Sequence, residues 1–286
     1  MIRFLDCSAF YPSFTADFIN AWVCAVVSVA GAYFIYWLSI KRIRQDRLKY
    51  VTVLLKSFIA STKSQSTYCS DHAIAVKQNP FANFHLKFDA NKDIKRLSDK
   101  MDQEGVYHAF LWKYKRSPKT YGTFKDLYAY IDFLDSLMDD LIKTNQRSME
   151  YIWQRKKEYQ IAFNKLKAHI QRLTLDGHAN QNNPNLVKFA ETTLQHFLNK
   201  ENDGENVVVS YTEVVDPLRK YIAQNESPSP LVTDIFLVSD ELTAIYQGIS
   251  LQAKHNADDY DNYAKELNEK AGQLDIASKQ LQEDFK

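Results

Sequence analysis

Glycine and proline are scarce, seven of each in 286 residues, and that scarcity excludes an architecture built on many tight turns. Long helices with few connections are expected instead, with little room for a sheet. Cysteine is nearly absent too: Cys7, Cys24 and Cys69 fall in three different surroundings, which excludes an internal disulfide framework. Cys7 alone is placed to meet a second chain in an oxidising compartment, and an idle thiol is the simpler reading. The chain also lacks HExxH, GxxxxGK[ST], GxGxxG, GxSxG and paired CxxC motifs. No catalytic, cofactor-binding or metal-ligating residue is therefore singled out, no cofactor is implied, and an enzyme is not expected.

Net charge is only +1, so no strong excess of one sign selects a polyanionic partner. The charge is unevenly spread, however. Residues 201–286 carry 17 Asp and Glu against 7 Lys and Arg, and residues 1–200 carry the compensating basic excess. Outside one short cluster no concentrated basic face exists, and no nucleic-acid partner is expected.

That cluster directly follows the most informative stretch. Phe18 to Ile40 is a run of twenty-three residues without a charge, and Lys41, Arg42, Arg44 and Arg47 come next. At ~1.5 Å of rise per residue the run makes a helix of about 35 Å, enough to cross a hydrocarbon core of ~30 Å with some tilt. Trp22 stands near one end and Tyr33, Tyr36 and Trp37 near the other, where amphipathic rings favour the headgroup level. A buried core helix would be shorter, and a cleaved signal peptide would end in small residues rather than basic, bulky ones. An uncleaved signal-anchor is expected. Basic residues stay on the cytoplasmic side, so the amino-terminal tail is placed outside and everything from Lys41 onward inside. The same cations suit anionic lipid headgroups. Cys24, Ser28 and Ala32, at i, i+4 and i+8 beside Gly31, form a small-residue stripe suited to helix pairing.

Beyond the span, helical periodicity dominates. Leu48, Val51, Leu55, Phe58 and Thr62 recur at spacings of three and four, which predicts a stalk ending at Gln78-Asn79-Pro80. A helix is expected over about 93–115, interrupted near Gly105. Another is expected from an N-cap at Thr123 to about Leu175, with a register shift near 145–148 that marks either a stutter or a break. DGHANQNNPN (176–185) reads as a loop, 184–199 as a helix, Val207-Val208-Val209 as the best strand-like run, and 213–224 as a helix. From Ile235 through Ser239, Leu242, Tyr246, Ile249, Ala253, Asn256 and Tyr260 to Leu281 and Phe285, spacings of four and three alternate, except that two fours adjoin at Tyr260. So long a stripe must be buried against 123–175 within the chain or against a second copy. Asn256 is the kind of polar seam residue that fixes register or takes part in oligomer contacts.

Two constellations invite chemistry. Asp132, Asp135 and Asp139 share a face, but it lies away from the apolar stripe and belongs in solvent. Glu104 and His108 stand at i, i+4, without the second motif that a di-iron bundle requires.

The expected fold is all-α: a tail (1–17), a transmembrane helix (18–40), a basic stalk (41–77) and a cytosolic bundle of long antiparallel, coiled-coil-like helices (78–286). The expected location is the inner (plasma) membrane. Lipid and a protein partner, or a second copy, are the expected partners. The expected role is that of a scaffold, adaptor or oligomerising effector. A membrane-associated stress or phage-defence effector is the alternative, and a catalytic helical bundle is a third class.

Overall fold

The computed structural model describes residues 11–83, 85–88, 103–114, 118–180, 183–199, 206–225 and 229–283. All its elements are helical, with no strand among the described residues. In chain order they are α1 (Tyr11–Gln78), α2 (Gln103–Tyr114), α3 (Pro118–Asn180), α4 (Pro184–Asn199), α5 (Val207–Ser210), a π-helical turn (Tyr211–Val215), α6 (Asp216–Asn225) and α7 (Pro230–Glu283). The expectations for the tail to Phe10, for a helical start at 93–102 and for Phe285 lie outside the described residues.

The scarce prolines begin helices more often than they end them. Pro118, Pro184 and Pro230 each occupy the first position of a helix, where the missing N–H has no helical partner to lose. Helix α3 therefore starts at Pro118 rather than at the expected cap Thr123. At the next boundary Asn183 adopts φ 48°, a left-handed conformation that asparagine tolerates better than most residues. Polar composition does not stop α3 at Leu175 either: the helix runs on to Asn180. Gly105 does not interrupt α2.

Val207-Val208-Val209 is helical, not extended. The Asn206 side chain accepts from the Val208 and Val209 amides at 3.1 and 3.4 Å, nucleating a turn that β-branched residues alone would disfavour. The chain then widens into the π turn, where the Asp216 amide donates to the Tyr211 carbonyl five residues back. Pro217 follows at once. Proline removes a donor and crowds the carbonyl of residue i−4, and the wider turn is where the helix absorbs that defect.

The chain divides into two compact units. One comprises residues 1–58, 92–129 and 275–286. In it Leu48, Val51, Leu55 and Phe58 of α1 are buried, as are Val106 and Ala109 of α2 and Leu127 of α3. Tyr107, Phe124 and Tyr128 form a chain of ring contacts, with centroids 5.1 and 4.6 Å apart.

The other unit comprises residues 59–91 and 130–274. Here α7 runs antiparallel to both α1 and α3. Tyr260 bonds Asn145 and Tyr263 bonds Asp140, while Lys77 pairs with Asp258 and Ser66 donates to the Ala264 carbonyl. The α7 stripe from Ile235 to Leu274 is buried as its spacing demands. Tyr246 is half-buried, and its ring stacks between Tyr211 (3.8 Å) and Phe81 (4.5 Å). Helix α3 passes through 145–148 without a break, with Asn145 and Ser148 buried on its inner side, so the register shift is a stutter in one helix. Tyr159, Phe163, Leu166 and Ile170 of α3 pack in one apolar cluster with α4, the π turn, α6 and the first half of α7.

Candidate membrane interface

The apolar run of α1 stands out from the described parts of the structure. Residues 17–39 are all exposed, and the large side chains from Phe18 to Leu38 are between 42% and 69% accessible. Among the described residues α1 is the one helix long and apolar enough to cross a membrane, and none of its most apolar window is buried. A core helix would hide this surface. Exposed apolar patches beyond a few hundred Å² mark interaction surfaces, since each Å² left in water forgoes about 25 cal/mol of burial.

The candidate interface residues sort by position. Trp22 stands exposed near the amino-terminal end, and Tyr33 and Tyr36 near the other. Trp37 stacks beside Phe34, and the Lys41 ammonium lies 5.2 Å from the centre of the Trp37 ring. An aromatic ring with a lysine over its face, at the edge of an apolar run, suits the headgroup region of a bilayer. Arg42 points to solvent, whereas Arg44 and Arg47 line a cleft with Ile40, Ile43 and the α2 residues Glu104, Gly105 and His108.

Of the expected oligomer contacts, Cys24, Ser28 and Ala32 are exposed, and a Cβ added to neighbouring Gly31 would meet no atom within 4 Å. Asn256 lies elsewhere. It is 3% exposed inside the second unit, where its Oδ1 accepts from Gln252 at 2.9 Å. Glu104 and His108 form an exposed pair at 3.7 Å. No group of three or more His, Cys, Asp and Glu that could hold a metal occurs among the described residues. Asp132 and Asp139 are exposed, whereas Asp135 on the same face is half-buried.

Two features are invisible to periodicity. The first is a polar layer inside the second unit. The Tyr260 hydroxyl donates to Asn145 Oδ1 at 2.9 Å, the His72 ring meets Tyr260 edge-on at 4.6 Å, and Gln65 donates to Cys69 Sγ at 3.7 Å. Burial pushes the Tyr260 hydroxyl up to about 12 and the Cys69 thiol up to about 11, and it holds His72 below its ordinary value. A thiol held protonated in this way is no nucleophile. The second feature is an exposed stripe on α3. Ile142, Met149 and Trp153 stand at i, i+7 and i+11, within about 40° of one another around the helix at 100° per residue. Trp153 is 67% exposed, with Lys157 over its ring at 5.5 Å.

Comparison with known proteins adds no relative to this geometry: no protein-family model, no curated protein and no solved structure matches the chain.

Proposed function

We propose that this chain is a single-pass membrane protein that works through protein contacts, as a scaffold, adaptor or oligomerising effector. Phe18 to Ile40 crosses the inner (plasma) membrane, the tail lies outside, and the helical bundle lies in the cytosol. The observation that carries the reading is the wholly exposed apolar run of α1, ending in the Trp37–Lys41 pair and the arginines behind it. The orientation follows from the charge difference across that run.

The contact surface on the cytosolic side is the Ile142, Met149 and Trp153 stripe, because tryptophan is enriched among the residues that carry binding energy at interfaces. The test is isolation of the tagged full chain from membranes in mild detergent. It should be retained with a protein partner or a second copy in fixed ratio, and Trp153→Glu should weaken that retention about tenfold. A monomer that retains nothing would contradict the proposal.

The open small-residue face at Cys24, Ser28 and Ala32 favours one specific form, a stress or phage-defence effector that assembles through its span. In that form overexpression is toxic and removal of residues 1–47 abolishes the toxicity. Growth unaffected by the full chain would rule it out.

A further inference from the structure

Helix α1 leaves apolar side chains exposed past the end of its charge-free run. Among the described residues of 41–73, the large apolar side chains left exposed are Ile43, Tyr50 and Val53. They stand at i, i+7 and i+10, so they share one face. Counting back by sevens from Tyr50 reaches Ile43, Tyr36, Val29 and Trp22, and from Val53 positions 46, 39, 32 and 25. Spacings of three and four thus alternate from 22 to 53, and every position of this seam is exposed. Leu48, Val51 and Leu55 are buried and lie roughly 100–160° around the helix from Tyr50. A bilayer around the charge-free run covers only part of the seam. At ~1.5 Å per residue Tyr50 and Val53 lie about 15 and 20 Å past Ile40, beyond a headgroup layer of ~5–7 Å.

We propose that α1 pairs with the α1 of a second copy, parallel and in register, along this seam; the proposal rests on the membrane reading above. Two copies held in one membrane have the same orientation, so a parallel pair is the arrangement open to them. A repeat of 3.5 residues keeps such a pair in contact along its length by a left-handed supercoil. Trp22, Val29, Tyr36, Ile43, Tyr50 and Val53 are 50% to 69% exposed and offer roughly 600 Å² per copy. Together two copies exceed the about 1,000 Å² that marks a specific interface. Within the lipid the gain is close packing, and past the headgroups it is burial of apolar surface from water. Asp46 is the charged position of the seam. Exposed Arg42 and Lys49 flank the same edge and offset the two carboxylates that meet there. A polar residue at one seam position fixes register at a cost in stability.

Disulfide linking of the full chain in its membranes tests this. In a background of Cys7→Ser and Cys24→Ser, with Cys69 buried, single cysteines are placed by Ile43→Cys, Tyr50→Cys, Val53→Cys and the off-seam control Gln45→Cys. All four positions are exposed, so folding tolerates the changes. Under copper phenanthroline each seam variant should give linked dimer, about tenfold more than Gln45→Cys. Linking at all three requires a parallel pair in register, because each position then meets its own counterpart. Adding Tyr50→Lys to Ile43→Cys sets like charges against each other and should lower linking about tenfold. Equal linking at Gln45→Cys would mean random collision and overturn the proposal. So would a link only between Ile43→Cys and Val53→Cys chains, which marks an antiparallel pair, or a product whose mass shows a different protein on the seam. If the chain washes off the membrane in alkaline carbonate, the membrane reading itself fails. If it stays embedded and no seam cysteine links, only the pairing fails.

Discussion

Tyr260 shows how one residue couples stability to pH. Its hydroxyl is buried, donates to Asn145 Oδ1, and lies against His72 in the layer that also contains Cys69. Tyr260→Phe keeps the ring but leaves Asn145 without that donor, which should cost about 1–2 kcal/mol in thermal unfolding of the full chain. The same layer sets both limits of the pH range. The Cys69 thiol is pushed from its ordinary 9.0 up to about 11, so above pH 9 the unfolded chain loses a proton that the folded chain keeps. Stability should therefore fall as pH rises through that interval. For Tyr260 the corresponding interval begins at the ordinary 10.0, so Cys69→Ala should shift the onset of the alkaline decline toward pH 10. His72 works in the opposite sense. Burial lowers its pKa below 6.5, the unfolded chain takes up the proton first, and stability should fall as pH drops below that value. A melting temperature flat across both limbs would contradict this account.

At the scale of elements, α7 is the best test of packing. Its stripe alternates large side chains with Ala253, Ala257, Ala264 and Ala271, all buried, and the small positions let neighbouring helices approach closely. At Ala264 the approach is close enough for the Ser66 hydroxyl to donate to the backbone carbonyl at 2.7 Å. Ala264→Leu should overpack that crossing and cost about 1–3 kcal/mol, whereas Leu at exposed Lys265 should change stability little. Equal effects at both positions would refute the close crossing. This stripe is legible in sequence because a period of 3.5 over so many turns has one solution, a helix buried along one side. What is not legible depends on partners or on single residues. Val207 to Val209 are the most strand-like run by composition, yet the Asn206 side chain caps them as a helical turn. Polar residues at 176–180 look like a loop, yet they continue a helix already formed. The polar layer of Gln65, His72, Asn145 and Tyr260 draws on three helices far apart in sequence, so no local pattern announces it. The cleft at Arg44, Arg47 and His108 is hidden for the same reason. The aromatics at the ends of the charge-free run, by contrast, are read from their position in the sequence without any partner.

The whole molecule leaves one long apolar surface uncovered. The charge-free run of α1 stays exposed while the rest of the same helix buries Leu48, Val51, Leu55 and Phe58. Its length, its apolar surface and its aromatic edges are those that a helix needs to cross a bilayer. The most direct measurement is alkaline carbonate extraction of membranes from cells that express the full chain. The protein should stay in the membrane pellet and leave it only with detergent, while deletion of residues 18–40 should move the remainder to the supernatant. Recovery of the intact chain in the carbonate supernatant would contradict it.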